Sequence, residues 1–294
     1  MRRARSQVQS LALAVALAAA ASAGALAGPA PGVSVDYSVL LAGFDIGTAR
    51  LASTFVGGRY DLSVTANLTG LVGAVTGGKG AAKANGALTP VRAVPASFAV
   101  SSQTASQSIT IRMALARGNL VAADIAPPLI EYPDRVPVTA ALKKGVVDPA
   151  SALLMPALAG KAPTDPANCA RTLPVFDGVS RFDLVLSYAE TRTVEKPGYS
   201  GPVLVCHARY RALAGHRPDR PGVKFMEDNR EMSVWLAPVA GTRILIPLRI
   251  SVLTTIGTNI IEATRWTQSG TAEGPGTAGA EAGASVAQAS LSGQ

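Results

Sequence analysis

Aromatic side chains are scarce in this sequence, in which Phe, Trp and Tyr make up 5% of 294 residues. Proteins that bind sugars or stack on nucleic-acid bases use exposed aromatic rings, so the shortage argues against both classes. The formal charge is +8, and without the three N-terminal arginines 24 basic residues face 19 acidic ones, about +5. That excess is small beside the basic patches of nucleic-acid-binding domains. We therefore expect no nucleic-acid partner.

Residues that bind metals or carry out catalysis are also few. The only histidines are His207 and His216, and neither His-Glu-x-x-His nor Cys-x-x-Cys occurs, which disfavours a zinc centre. The sequence lacks a Gly-x-Ser-x-Gly elbow and a phosphate-binding loop of the form Gly-x-x-x-x-Gly-Lys-Ser/Thr. We accordingly assign no catalytic residue, no metal ligand and no cofactor, and expect a protein that is not an enzyme.

The N-terminus has the pattern of a secretory signal. Arg2, Arg3 and Arg5 precede an apolar run at 11–23, and Ala25-Leu26-Ala27 follows. The small residues Ala25 and Ala27, one on each side of Leu26, are typical of a cleavage site. The apolar run at 11–23 is too short for a membrane span. We expect residues 1–27 to be a signal peptide cleaved near Ala27. The remaining chain is expected to be periplasmic, without a membrane span.

Two cysteines, Cys169 and Cys206, remain in the chain. In an oxidising compartment a single pair favours a disulfide bond between them. Two separate buried thiols are the alternative. A catalytic pair of Cys206 with His207 is disfavoured, because adjacent side chains of a strand point to opposite faces.

Alternation of apolar and polar residues is the dominant pattern along the chain. It is clearest at 60–69, where Tyr60, Leu62 and Val64 alternate with polar residues, and it recurs at 35–41, 108–115, 181–188, 231–236 and 243–250. Such alternation predicts half-buried β-strands. Short turn sequences lie between the runs, including Gly57-Gly58 and Asp177-Gly178. Short sequential connections favour an antiparallel meander.

A single segment has the pattern of a helix. Asp148 is suited to the N-cap and Pro149 to the first helical position, whereas Pro156 predicts a kink or an end near Met155. One short helix cannot cover the apolar faces of about ten strands. The fold class is therefore mainly β: a large curved antiparallel sheet that closes as a barrel, half-barrel or sandwich, with one short helix.

The C-terminal residues 268–294 differ in composition from the rest. They are rich in Gly, Ala, Ser and Thr, and Leu291 is their one large apolar side chain. A segment with so little to bury is typical of disorder. The predicted organisation is a signal peptide at 1–27, a β-rich domain at 28–267 and a disordered tail at 268–294.

The candidate binding residues are His207, Arg209, Arg211 and Trp235. The first three share one face of a predicted strand, opposite Cys206. They are interpreted either as a basic stripe that contacts anionic headgroups or an acidic polymer, or as an ordinary solvated face. Trp235 falls on the polar side of its strand, where it either packs against the opposite face of the sheet or serves as a contact residue.

An ordered set of short motifs resembles a known family of exported bacterial proteins, the domain of unknown function 3108 family, over about residues 33–266. The motifs are Tyr37–Gly47, Arg135–Val138, Asp148–Leu154, Phe176–Gly178 with Arg181–Leu184, Cys206 with Tyr210 and Ala214-Gly215, Val234–Leu236, and Ile246–Arg249. The resemblance implies an exported β-rich domain of a Gram-negative envelope and transfers no catalytic residue.

Two functions are compatible with these observations. The first is a non-enzymatic periplasmic protein whose curved sheet binds a hydrophobic ligand, such as an acyl chain, or a lipidated envelope component. Its basis is the excess of aliphatic strand faces over the helix available to cover them. The alternative is an interaction scaffold whose basic strand face binds an acidic envelope component.

Overall fold

Fourteen β-strands form one antiparallel sheet in the computed structural model, which describes residues 30–70, 73 and 77–270. The strands are β1 (Gly32–Leu41), β2 (Phe44–Val56), β3 (Arg59–Leu68), β4 (Lys79–Leu88), β5 (Ala93–Gln103), β6 (Ser108–Ala116), β7 (Asn119–Ala126), β8 (Met155–Pro156), β9 (Arg171–Phe176), β10 (Arg181–Lys196), β11 (Tyr199–Ala214), β12 (Met232–Pro238), β13 (Ile244–Thr254) and β14 (Gly257–Ser269). An α-helix, α1, covers Pro221–Asp228, and 3₁₀ helices cover Ala141–Lys143, Ser151–Leu153 and Pro166–Cys169.

Two of the sequence-based predictions fall at the chain ends. The predicted signal peptide at 1–27 lies outside the described residues, as does the predicted tail from residue 271 onward. Gln268 and Ser269 belong to β14 and pair with Val33 and Gly32. The last strand therefore extends two residues beyond the predicted domain boundary at 267.

The strand order confirms the predicted meander. The order across the sheet is β7-β6-β5-β4-β3-β2-β1-β14-β13-β12-β11-β10-β9, with β8 added beside β13. The first and last strands of the chain, β1 and β14, are therefore neighbours in the middle of the sheet. All pairs of neighbouring strands among the described residues are antiparallel, and nearly all follow chain order, as short hairpin connections require.

The turns form where the sequence predicts them. Gly57 and Gly58 have φ values of 56° and 74°, the left-handed conformations that a two-residue hairpin needs. At the β9–β10 turn, Asp177 Oδ1 accepts hydrogen bonds from the backbone N–H groups of Val179 and Ser180 at 2.8 and 2.6 Å. This side-chain cap fixes the Asp-Gly turn.

The sheet curls so that its two ends approach each other without closing. A methyl group placed on Gly178, in the β9–β10 turn, would lie 2.5 Å from Cγ2 of Ile111 in β6. β9 is at one end of the strand order and β6 is next to the other end. The predicted curved sheet is confirmed, in the form of an open, barrel-like curl.

The segment at 144–169, called the plug here, fills the gap and enters the curl. The Val146 N–H donates to the Gly118 carbonyl at 2.7 Å, beside the β6–β7 turn. The Val147 N–H donates to the Pro174 carbonyl of β9 at 2.9 Å. The plug is thus bonded to both sides of the gap, and its Ala150 and Leu154 are buried in the core.

The predicted helix at Asp148 is wrong in its type and length. The chain forms a 3₁₀ helix at Ser151–Leu153 and then extends into β8, where Met155 pairs with Leu245 and Pro156 with Ile244. Pro156 has no N–H to continue a helix, and pairing with β13 satisfies neighbouring backbone groups. An α-helix, α1, lies in the connection between β11 and β12, for which the sequence predicts no helix, and Pro221 is in its first turn.

The predicted disulfide bond between Cys169 and Cys206 is confirmed. The two Cα atoms are 5.5 Å apart, and both residues are fully buried. Cys169 ends the plug, whereas Cys206 lies in β11 on the face opposite His207. The bond therefore attaches the end of the plug to the inner surface of the sheet.

Replacing both cysteines by alanine is expected to lower the free energy of unfolding by about 4 kcal/mol, because the crosslink restricts the unfolded chain over 37 residues. Urea denaturation of the double variant would measure the loss. The wild-type protein unfolded in the presence of a reductant should give the same midpoint. A midpoint unchanged in both experiments would contradict the expectation.

Candidate functional site

Several large aliphatic side chains on the inner face of the sheet are only half-buried. Val39 of β1 pairs with Ile261 of β14, which pairs with Ile250 of β13. Cross-strand partners share a face, so these three form a row across the middle of the sheet. Each is of intermediate exposure, which means that the curl and the plug do not cover them fully.

These side chains border a cavity of about 430 Å³, within the usual size range of ligand pockets. Its apolar lining residues include Tyr37, Val39, Leu51, Val64, Leu153, Pro247, Ile250 and Ile261. The hydroxyl group of Tyr37 donates to the Pro247 carbonyl at 2.8 Å. The one phenol in the wall is therefore already hydrogen-bonded and leaves an apolar surface.

Two more cavities adjoin the first around Leu153. One, of about 220 Å³, is bordered by Leu184, Val234 and Ile250 among others. Another, of about 350 Å³, lies between the plug and the inner faces of β3 to β6, including Val100. Leu153 borders all three cavities, so the 3₁₀ turn of the plug stands at the centre of an apolar interior.

The first cavity reaches the surface at one end of the sheet. Ala66, Ser102 and Thr104 border it and are exposed. They lie near the end of β3, at the end of β5 and just beyond β5. This end, called the mouth here, is where a ligand would enter.

A buried chain of hydrogen bonds holds the central turn in place. Asp148 Oδ1 accepts from the N–H groups of Ala150 and Ser151 at 3.0 and 2.9 Å, and Ser151 Oγ donates to Asp148 Oδ2 at 2.5 Å. The hydroxyl groups of Tyr60 and Ser151 are 2.6 Å apart. Since the Ser151 proton is directed to the carboxylate, Tyr60 is the donor in this pair. The chain fixes the turn that bears Leu153 to β3.

Burial dominates the electrostatics of this chain. Asp148 and Ser151 are 0% exposed, and desolvation raises the pKa of Asp148 to about 6, against the opposing effect of its hydrogen bonds with Ser151. Desolvation also raises the pKa of Tyr60, which keeps the phenol protonated as a donor. The hydrogen bonds of these groups hold the plug in position.

His207, Arg209 and Arg211 lie outside the cavity. Val205, on their face of β11, pairs with Trp235, and Trp235 pairs with Arg249. This face is opposite the row of Ile250 and Ile261. His207 and Arg211 are exposed, whereas Arg209 donates to the Glu227 carbonyl of α1 at 3.1 Å.

Trp235 packs between two guanidinium groups. Those of Arg192 and Arg249 lie 5.2 and 5.3 Å from the centre of its rings, within the range of cation–π attraction. Arg249 and Lys196 both contact Glu262, at 2.9 and 2.7 Å. These contacts hold the β10–β11 hairpin against the outer face of β12 to β14. Of the two interpretations of Trp235, they favour the packing role.

No group of three or more His, Cys, Asp or Glu side chains that would suit a metal ion occurs within the described ranges. Among the same residues, no helix is both long and apolar enough to cross a bilayer.

The residues around the cavity were missed as a site by sequence reasoning. Alternation places Val64 and Ile250 on apolar faces, but it does not distinguish a covered face from an open one. Leu153 lies in the segment for which the sequence predicts a helix. Its position at the centre depends on contacts that are distant in the chain, such as that between Ser151 and Tyr60.

The chain belongs to the family described as "Protein of unknown function (DUF3108)", whose model matches residues 34–264. No curated protein matches it. A solved structure described as a beta-barrel-like protein of domain of unknown function DUF1849 from Brucella abortus is similar at 11% sequence identity. That similarity covers 81% of this chain and 97% of the other, with a TM-score of 0.46.

Because folding raises the pKa of Asp148, the folded protein binds this proton more tightly than the unfolded chain does. The carboxyl group therefore favours folding more as the pH falls through about 6. The Asp148→Asn variant, which retains an oxygen for the backbone N–H groups, lacks this effect. Lowering the pH from about 7.5 to about 4.5 should raise the unfolding free energy of wild type relative to the variant by about 2 kcal/mol.

Urea denaturation at a series of pH values would measure this difference. Asp165→Asn is the matched control, because Asp165 also caps a 3₁₀ helix, through Ala167 N–H at 2.8 Å, but its side chain is 28% exposed. A pH-independent difference between wild type and Asp148→Asn would show that Asp148 does not titrate as described.

Proposed function

We propose that this member of the DUF3108 family is a non-enzymatic periplasmic protein that binds the hydrocarbon part of an amphiphilic ligand inside its curled sheet. The observation that carries the proposal is the cavity of about 430 Å³ whose walls are aliphatic and whose mouth is exposed. A carrier or sensor of acyl chains needs such an interior, whereas a purely structural sheet would fill it.

The energetics of the walls support a hydrocarbon occupant. Val39, Val64, Ile250 and Ile261 retain apolar surface that only a nonpolar group would cover favourably. Each methylene group moved out of water contributes about 0.8 kcal/mol. Burying about eight of them would contribute roughly 6 kcal/mol before the entropy cost of association.

The polar groups near the cavity suit the head of such a ligand. Ser102, Thr104 and Lys79 border the cavity at its exposed end, while Leu153 and Pro247 border it inside. A ligand with its chain beside Leu153 would leave a hydrated or anionic head at the mouth. In this arrangement water and Lys79 provide partners for the polar head group, and no charge is buried.

Periplasmic location is supported by two observations. The sequence begins with the pattern of a secretory signal, and the Cys169–Cys206 bond is a type of crosslink that persists in oxidising compartments. The alternative function, a scaffold using the basic strand face, has less support, because Arg209 is engaged by α1. That leaves His207 and Arg211 as its exposed members.

The Ala66→Trp variant tests the cavity directly. Ala66 borders the mouth and is exposed, so an indole group there would obstruct the cavity without overpacking the core. We expect the affinity for a fluorescent fatty acid to fall at least about tenfold, since several methylene groups would lose their site. Mass spectrometry of lipids extracted from the purified protein should show a matching loss.

Thr65→Trp is the matched control, because Thr65 is the exposed neighbour that points to the other face of β3. It should bind the fatty acid as wild type does. If wild type binds no fatty-acid probe and carries no extractable lipid, the proposed function is wrong.

A further inference from the structure

Two large apolar side chains project from neighbouring turns of the sheet. Phe44, where β2 begins, is 75% exposed, and Ile256, in the β13–β14 turn, is 71% exposed. The two turns are in contact, since the Ala42 N–H donates to the Thr258 carbonyl at 2.9 Å. An exposed apolar residue alone needs no explanation, but two on adjoining turn tips form one apolar rim.

This rim lies at the mouth of the cavity. Val39, Gly80 and Ser102 border the cavity, and they lie where β1 ends, β4 begins and β5 ends. In an antiparallel sheet these strand ends share one side with the β1–β2 and β13–β14 turns. The exposed Phe44 and Ile256 are therefore on the side of the molecule through which a ligand would enter.

Basic residues lie on the same side. The connection that contains α1 joins the end of β11 to the start of β12, and it contacts β13 close to the β13–β14 turn. There the Leu253 N–H donates to the Glu231 carbonyl at 3.0 Å, and Asn229 Nδ2 donates to the Leu253 carbonyl at 2.9 Å. Arg220 and Arg230 of this connection are exposed, as are its acidic Asp219, Asp228 and Glu231. The cations are therefore available at this side, while the net positive charge is a property of the whole molecule.

We infer that this side of the protein docks on a lipid bilayer that contains anionic headgroups, with Phe44 and Ile256 entering the interface. The inference rests on the proposed function, because it places the mouth of the cavity against the source of its ligand. Apolar side chains that enter the interface, combined with nearby cations, are the general basis of peripheral membrane binding.

Charge favours a bilayer over a second copy of the chain. The described residues hold 24 basic and 17 acidic side chains, a net charge of +7. An anionic surface attracts such a molecule, whereas another copy repels it.

Val121 is nearly as exposed as the rim residues, at 68%, but it lies in β7 near the β6–β7 turn, on the opposite side of the sheet.

The test uses the Phe44→Ser and Ile256→Ser variants and vesicles of equal parts phosphatidylglycerol and phosphatidylcholine. Co-sedimentation should show that each variant binds the vesicles about tenfold more weakly than wild type, because it loses the insertion of one large apolar side chain. Val121→Ser should bind as wild type does. Added salt should weaken the binding of wild type.

Binding of a fluorescent fatty acid in solution, measured in parallel, separates this inference from the proposed function. Loss of vesicle binding in both rim variants, with unchanged fatty-acid binding, supports the docking surface. If wild type binds the fatty acid but not the vesicles, or if the rim variants bind vesicles normally, the docking surface is wrong and the cavity function stands. A self-association of wild type that the rim changes abolish, without vesicle binding, would assign the rim to a dimer interface and overturn the inference.

Discussion

The need to cover the inner face of one long antiparallel sheet is the constraint on which this structure depends. A sheet with an aliphatic face is stable in water only if that face meets other apolar groups. Here a single crossing segment, the plug, has to meet strands from both halves of the curl. It does so from the centre, where Leu153 borders cavities on three sides. One 3₁₀ turn cannot fill the space inside the curl, and the parts that it leaves unfilled are the cavities.

The anchors of the plug explain why polar residues are buried in an otherwise apolar interior. Asp148, Ser151 and Tyr60 fix the turn to β3, and the Cys169–Cys206 bond fixes the other end to β11. Two attachment points on different strands determine where Leu153 lies. A buried carboxyl group opposes folding when it is charged, and its backbone and hydroxyl partners offset part of that cost. An apolar plug held only by contacts would be free to settle deeper and close the cavity.

The sequence predicts the local structure better than the site. Alternation at 60–69 and the Gly57-Gly58 and Asp177-Gly178 turns specify strands and hairpins through short-range rules, and all three are present as predicted. The segment at 148–156 was misassigned because local capping signals at Asp148 favour a helix, whereas pairing of Met155 and Pro156 with β13 depends on residues about 90 positions away. The cavity escaped prediction for the same reason. Alternation shows which face is apolar, but it does not show how much of that face the plug covers.

The topology also determines where a ligand can enter. A meander places alternate turns at opposite ends of the sheet, so β1–β2 and β13–β14 fall on one side because β1 and β14 are paired. The inner face of this central pair carries Val39 and Ile261, and the same pairing brings their adjoining turns, with Phe44 and Ile256, to the mouth. An apolar path from rim to interior is thus a consequence of joining the first and last strands. A different strand order with the same sequence pattern would keep the aliphatic faces but separate the rim from the cavity.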